Sequence, residues 1–282
     1  MPSWCRMRPK RFTKSAVPDI GRDVDVQTTS LRQSAKTILA SAILAIGLPV
    51  ISSAQTAPAP QWLRFQVETV KPDMVQEYEG YKKQMAAAFK KAGQPVYVVF
   101  RNYSGNRFEY TTVTWVMKFG ELDNPPAIRD ALGAEAFTNL VDGLNRCLTS
   151  SNWHFSLPWD DVSIDKAGAG EYFLRTRTPV ATGKNAEYRA YLKNELKPVM
   201  EKGGVTWFRA STPVFGGPAG TVETMRRLKN LAEIEGGPLT TRVLGQAGAQ
   251  ALTAKAASLV RGPAQNTILR RVPELSLLQP AK

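Results

Sequence analysis

Apolar and polar positions between residues 62 and 165 alternate in a pattern that predicts a mixed strand and helix order. Residues 62–67 alternate with period two, which predicts a strand. Pro72 and Asp73 then open a helix that ends near Gly93. Its apolar residues recur at spacings of three and four and share one face: Met74, Tyr78, Tyr81, Met85 and Phe89. Three further strands (96–100, 108–119, 153–157) and a helix over 134–147 follow. The predicted order is β-α-β-β-α-β.

The second half of the chain repeats the first. The segment EYEGYKK at 77–83 matches EYRAYLK at 187–193, an offset of 110. FGELD at 119–123 matches LAEIE at 231–235 at offset 112, and DVS at 161–163 matches ELS at 274–276 at offset 113. Matches in the same order at a nearly constant offset indicate a duplicated domain. The predicted elements of the second copy are strands at 172–176, 205–210, 221–231 and 267–272, with helices at 185–202 and 247–259.

The element order defines the fold class. A β-α-β-β-α-β unit is ferredoxin-like, with an antiparallel sheet that carries helices on one face only. Two copies in one chain can cover each other's bare faces. We therefore predict an α+β protein in which two tandem ferredoxin-like units, at 60–165 and 171–282, pack sheet to sheet as one intrachain α+β barrel. The glycine-rich stretch 166–170 between them predicts a flexible linker.

Residues 1–54 carry the features of an N-terminal extension and a signal peptide. Arg32 and Lys36 precede an uncharged apolar run at 37–51, and small residues at 52–54 follow it. Fifteen apolar residues are fewer than the roughly 20 that a membrane-spanning helix needs. The segment near 31–54 therefore predicts export to the periplasm or the medium, without a stable membrane anchor after cleavage. A start codon assigned too far upstream would explain the long polar stretch before residue 31.

Charge is distributed unevenly between the two copies. The 282 residues include 37 basic and 24 acidic side chains, for a net charge of +13. Residues 1–54 account for +5, residues 55–165 for −2 and residues 166–282 for +10. This imbalance indicates either an anion site in the second copy or charge pairing between the copies. Export and the lack of basic runs with stacking aromatics argue against a nucleic-acid partner.

Metal and cofactor chemistry finds little support in the composition. One histidine and two cysteines cannot form a histidine cluster or a cysteine-based zinc site. We predict no metal and no cofactor. Cys147, with apolar neighbours, is expected to be a buried and unreactive thiol.

Arginines on predicted strands of the second copy are the first candidate ligand residues. Arg175 and Arg177 are two positions apart and share a face of their strand. With Arg209, they would grip a carboxylate or phosphate if that face lines the barrel. The alternative is that they face solvent or pair with Glu68, Glu109 and Glu223 across the barrel.

One histidine and several aromatic side chains are the other candidates. His154 lies on the predicted strand 153–157 and would act as a general base or a haem ligand, or else as a structural residue. Tyr97, Trp115 and Trp207 lie on strands, where they either pack the core or line a hydrophobic ligand pocket. Tyr97 and Trp207 are counterparts at offset 110.

The helix entry Val70-Lys71-Pro72-Asp73 and the helix end at Gly93 carry a family resemblance. From about Trp62 onward, the chain resembles a tandem member of the dimeric α+β-barrel superfamily and is similar to its NIPSNAP-like and antibiotic-biosynthesis-monooxygenase-like domains. The resemblance implies a ligand-sized space inside the barrel. That superfamily includes cofactor-free monooxygenases, haem-degrading proteins and haem-binding proteins. Haem-degrading members line their pocket with an Asn, a Trp and a His, and these types occur here as adjacent residues at 152–154. The sequence has no diagnostic catalytic signature, so the catalytic residues are unknown.

Three functions remain open on the sequence. The leading one is an exported protein that binds a small anionic or aromatic molecule between its sheets, as a monomer or weak dimer. The second is a cofactor-independent monooxygenase-like or haem-related enzyme. The third is a non-catalytic structural or interaction protein with a filled barrel.

Overall fold

The computed structural model describes residues 62–94, 96–123 and 126–278. The predicted signal peptide near 31–54 lies outside the described residues. Among the helices that are described, none is long and apolar enough to cross a membrane.

The first repeat, as we call the copy at 60–165, has the predicted element order. Its main strands are β1 (Trp62–Val70), β2 (Val96–Asn102), β3 (Glu109–Val116) and β4 (Leu148–Pro158). Its helices are α1 (Val75–Lys91), which follows a 3₁₀ turn at Pro72–Met74, then α2 (Ala127–Leu132) and α3 (Ala134–Arg146). A short strand, β5 (Ile164–Asp165), leads to the linker.

The second repeat, the copy at 171–282, follows the same order. Its strands are β6 (Tyr172–Pro179), β7 (Trp207–Phe215), β8 (Thr221–Leu228), β9 (Gln265–Arg271) and β10 (Leu277–Leu278). Its first long helical stretch consists of α4 (Asn185–Tyr191), a π-helical turn (Leu192–Leu196) and α5 (Lys197–Lys202). Two more helices follow, α6 (Ala232–Glu235) and α7 (Leu239–Ala257).

The two four-stranded sheets join into a closed barrel, which confirms the predicted fold class. Hydrogen bonding runs in the order β2-β3-β1-β4-β7-β8-β6-β9 and returns from β9 to β2. Each repeat has the ferredoxin-like strand order, and every pairing is antiparallel. At the two seams between repeats, Pro158 lies opposite Ser211 and Phe100 lies opposite Arg271. Closure removes the unpaired edges that an open sheet would expose.

The barrel wall separates an apolar core inside the barrel from two apolar cores outside it, between the sheets and the helices. Each repeat buries one sheet face against its own helices, around Tyr78 and Leu144 in the first repeat and around Tyr188 and Phe208 in the second. The third core lies inside the barrel and draws on both repeats: Leu63, Phe65, Val98, Phe100, Phe173, Met225 and Leu269. The barrel interior is therefore a shared core of the two copies.

The two repeats also share a helix break at equivalent positions. Gly133 has φ 88° between α2 and α3, and Gly245 has φ 72° inside α7. The two glycines are counterparts at offset 112. Because this left-handed region penalises a Cβ, glycine lets both repeats bend the chain at the same point.

Several strands begin or end at other residues than predicted, because hydrogen bonding to neighbouring strands decides where they end. β7 continues past the predicted end at 210 because Ser211–Phe215 pair with β4 across the seam, and β4 begins before the predicted start at 153 because Leu148–Asn152 pair with β1. β3 ends at Val116, and the residues after it form a 3₁₀ turn at Phe119–Asp123. Pairing with a distant segment leaves no trace in local periodicity.

Candidate functional site

The inner face of the barrel changes from apolar to polar along β6 and β3. On β6 the inward residues are Phe173, Arg175 and Arg177, in chain order. On β3 they run from Glu109 and Thr111 to Val113 and Trp115. The apolar core therefore occupies one part of the interior, and charged and hydroxyl side chains gather at one end, which we call the polar end.

His154 and Glu223 form the centre of the polar end. His154 lies opposite Phe65 in the β1–β4 register, and the two rings stack at 4.9 Å between centroids and 6° between planes. The His154 Nε2 atom lies 3.5 Å from Glu223 Oε2. Glu223 lies opposite Arg177 on β6, and the two side chains form an ion pair. One carboxylate therefore contacts both a guanidinium and an imidazole.

Electrostatics keep Glu223 ionised although it is buried. Burial alone would raise the pKa of this carboxyl group above its ordinary value of 4.5. The contact with His154 and the positive charge of Arg177 outweigh burial and lower the pKa of Glu223 to about 2. The polar end therefore holds a permanent negative charge at neutral pH.

Arg175 connects the two repeats inside the barrel. Its side chain is almost fully buried, and Nη1 donates a hydrogen bond to Thr111 Oγ1 at 3.1 Å. Nη2 lies 3.4 Å from Glu109 Oε1. Burial lowers the pKa of Arg175, and the neighbouring Arg177 lowers it further.

Seven buried polar atoms at inward-facing positions lack a hydrogen-bond partner among the described residues. Arg227 Nε and Arg271 Nε lie opposite Phe173 and Phe100, and the other five are Asn102 Oδ1, Ser156 Oγ, Arg175 Nε, and His154 Nε2 and Glu223 Oε2, which face each other at 3.5 Å. A buried polar atom without a partner costs about 1–3 kcal/mol, so such atoms normally contact water or a ligand. The polar end has more hydrogen-bonding capacity than its own side chains use.

The remaining predicted ligand residues separate into different environments. Arg209 is bound at 2.6 Å by Asp165 and at 3.5 Å by Asp160, which satisfies its charge. Trp115 and Trp207 pack against the apolar core inside the barrel. They therefore lie away from the polar end.

Tyr97 lies on the opposite face of its strand and corrects the predicted repeat alignment. Its ring packs on Phe89 of α1 at 4.5 Å, in the core between the sheet and the helices. The inward-facing counterpart of Trp207 is Val96, at offset 111 instead of 110. Because a shift of one residue moves a strand side chain to the other face, Tyr97 does not line the barrel.

Several basic side chains of the second repeat form ion pairs with acidic side chains of the first. Basic groups of the second repeat bind acidic groups of the first in the pairs Arg175–Glu109, Arg209–Asp165 and Arg189–Asp161. Of the carboxylates that the sequence offered as partners, Glu109 and Glu223 bind arginines, whereas Glu68 faces the helices. Arg175 thus pairs with Glu109 across the barrel, Arg177 pairs with Glu223 of its own repeat, and Arg209 pairs with aspartates that the sequence did not indicate.

Sequence reasoning missed a buried ion pair outside the barrel. Lys82 of α1 lies 2.6 Å from Glu68 Oε2 of β1, and Tyr78 donates a hydrogen bond to the same oxygen at 2.9 Å. Lys82 also donates to Thr112 Oγ1 at 3.1 Å. Glu68 lies on the helix-facing side of β1 and shares that face with the buried Val70, and this two-residue spacing is the signal that could have revealed it.

The polar end does not favour haem ligation by His154. Its Nε2 atom faces the Glu223 carboxylate at 3.5 Å, and its ring face lies against Phe65. Iron bound at Nε2 would have to displace that carboxylate. Within the described residues, no group of three His, Cys, Asp or Glu side chains is placed to hold a metal ion.

Comparisons with solved structures support the fold. A candidate monooxygenase from Lactobacillus acidophilus NCFM aligns with a TM-score of 0.56 at 12% identity, over 78% of this chain and 97% of the other. An anthrone oxidase-like protein aligns with a TM-score of 0.53 at 11% identity, over 76% of this chain and 92% of the other. A NIPSNAP family protein from Agrobacterium tumefaciens aligns with a TM-score of 0.30 at 16% identity, over 36% of this chain and 88% of the other. No protein-family profile and no curated protein matches the sequence.

The first two alignments each cover three quarters of this chain, so they span both repeats. At these identities the likeness concerns the fold alone. The fold is that of the dimeric α+β barrels, with both halves of the barrel supplied by one chain.

Proposed function

We propose that the protein binds a small aromatic molecule with a hydrogen-bonding group inside the barrel. The observation that carries this proposal is the set of unpartnered polar atoms at the polar end, beside the aromatic side chains of the inner core. A hydroxyl group on the ligand would satisfy several of these atoms at once, and its ring would contact Phe65 or Phe100. Such a combination of apolar lining and a few polar groups is typical of small-molecule sites.

The charges at the polar end favour a neutral polar ligand over a strong anion. Arg175 and Arg177 are each bound to a carboxylate, so two positive charges face two negative ones. A phenol fits this environment, since its hydroxyl can donate to Glu223 and accept from an arginine. The proposal therefore keeps the aromatic part of the sequence-based expectation and drops the anionic part at this site.

The test compares 2-naphthol with naphthalene, which has the same rings but no hydroxyl group. We expect saturable binding of 2-naphthol, followed by its fluorescence, and at least about tenfold weaker binding of naphthalene, the equivalent of one hydrogen bond to a charged group. The Glu223→Gln and Ser156→Ala variants should weaken 2-naphthol binding and leave naphthalene binding unchanged. Tyr103→Ala, an exposed aromatic substitution, is the control. Equal affinity for both probes, or none for either, would contradict the proposal and favour a filled, structural barrel.

An enzyme is the second candidate, and the buried His154–Glu223 pair favours it. An imidazole stabilised by a carboxylate can accept a proton from an acidic ligand group. The similar proteins described as a candidate monooxygenase and as anthrone oxidase-like fit such a role. The test is oxygen consumption in the presence of anthrone. Consumption by the unchanged protein that is lost in the His154→Asn variant would show that the protein converts its ligand as well as binding it.

We also propose that the chain is exported through the segment near 31–54 and acts as a monomer or weak dimer. N-terminal sequencing of protein from the periplasm or medium should give a chain that begins near Gln55. An intact Met1 in that fraction would contradict export by cleavage.

A further inference from the structure

A pocket lies next to the linker, outside the polar end. The pocket has a volume of about 80 Å³ and is lined by Ala169 of the linker, by residues 203–206, and by Arg227, Lys229, Glu233 and Arg242. One water requires roughly 10–15 Å³ of such space. The pocket is therefore large enough for a small ion.

Positive charge predominates in the wall of this pocket. Arg227, Lys229 and Arg242 face a single carboxylate, that of Glu233. Glu233 is already bound by Arg226 and, at 3.5 Å, by Arg242, and it accepts the backbone N–H of Lys229 at 3.0 Å. Among the described residues, neither Arg227 nor Lys229 has a carboxylate within ion-pair distance. The wall thus carries an excess of about two positive charges.

Arg227 is held in place before any ligand arrives. Its Nη1 atom donates a hydrogen bond to the Gly168 carbonyl at 2.8 Å. The guanidinium lies 5.8 Å from the ring centroids of both Phe173 and Trp207. Its buried Nε atom has no hydrogen-bond partner among the described residues. A fixed guanidinium with a free donor loses little entropy when it binds an anion.

The linker forms one wall of the pocket, and hydrogen bonds join it to neighbouring segments of the second repeat. Lys166 N–H donates to the Thr206 carbonyl at 2.7 Å. A Cβ added at Gly168 would overlap the Thr206 hydroxyl and come within 3.2 Å of Arg227 Nη1. Glycine is needed there because the chain passes directly over the side chains that line the pocket.

We propose that this pocket binds a phosphate group, either as the free ion or as the end of a larger molecule. Three cationic side chains, on β8, just after it and on α7, contribute to the same pocket. A phosphate has enough acceptor oxygens to reach all three, whereas a carboxylate has two. A phosphate monoester carries a charge of about −1.5 to −2 at pH 7, which matches the excess in the wall.

The experiment is a calorimetric titration of the full-length chain with inorganic phosphate, at constant ionic strength set by chloride. We expect saturable 1:1 binding, weakened about tenfold or more by Lys229→Gln and by Arg242→Gln, because each removes a charged hydrogen bond to the ligand. Both residues are exposed, so the variants should fold. Arg129→Gln, at an exposed arginine of α2, removes the same charge elsewhere and should leave the affinity unchanged.

A parallel titration with phenyl phosphate separates the two sources of the ligand. Equal or tighter binding would assign the pocket to the phosphate of a larger molecule, and weaker binding would assign it to the free ion. No saturable heat with either probe would overturn the proposal. So would the same affinity in the Lys229→Gln and Arg242→Gln double variant, since binding would then be elsewhere.

Discussion

Replacement of Lys82 by methionine is expected to destabilise the protein by about 3–5 kcal/mol, because it leaves a buried carboxylate without its counter-ion. Lys82 and Glu68 are each 1–2% exposed and lie between α1 and the sheet. Burial by itself lowers the pKa of Lys82, but the attraction of Glu68 outweighs it and holds the pKa above its ordinary value of 10.5. Urea unfolding of Lys82→Met, compared with the unchanged chain, measures the effect.

The matched control removes both charges. In the Glu68→Gln and Lys82→Met double variant, the amide keeps a hydrogen bond from Tyr78, and no buried charge remains unpaired. Most of the lost stability should return, so the two substitutions should couple by several kcal/mol. If Lys82→Met alone lowers the free energy of unfolding by less than about 1 kcal/mol, the pair contributes no more than an exposed ion pair does. That result would contradict a buried pair.

Truncation of Phe100 to alanine is the second large effect, with an expected loss of about 3–5 kcal/mol in the free energy of unfolding. Phe100 is on β2 at the seam with β9 and packs edge-on against Phe173 of the second repeat at 5.1 Å. The substitution opens a cavity in the core that both repeats share. The loss should appear in one cooperative unfolding transition, since neither repeat can cover its inner sheet face alone.

Tyr103→Ala is the control for this prediction. Tyr103 follows β2 directly and is 55% exposed, and its ring contacts Tyr172 of the second repeat at the surface. Its truncation should cost less than about 1 kcal/mol. Two separate transitions in Phe100→Ala, with one repeat unaffected, would show that the barrel interior is not a common core.

The order of elements could be predicted from the chain because each element is locally specified. The period-two pattern at β1 and the helical spacing of Tyr78 and Met85 depend only on near neighbours. The duplication supplied the rest, because two ferredoxin-like sheets in one chain have one simple way to cover their bare faces. Bounds were less predictable where a strand continues to pair across the seam, as β7 does with β4.

The sequence predicted which face of the strand the arginines of the candidate site occupy, but not which side chains they contact. The spacing of Arg175 and Arg177 placed them on one face, and that face lines the barrel. Nothing local indicated that Glu223 would contact both Arg177 and His154, since these residues come from three strands of two repeats. The alignment error at Tyr97 has a similar cause: a one-residue change in offset between strands is invisible in composition but reverses the face.

Length, duplication and periodicity were enough to establish a tandem ferredoxin-like α+β barrel with an uneven charge between its halves. Periodicity reports which face of an element is buried, and this information is contained in a few consecutive residues. The pairing of charges across the barrel, the buried Glu68–Lys82 pair and the basic pocket at the linker emerge only when distant segments meet. Their energies depend on distances of a few ångström between residues that lie far apart along the chain.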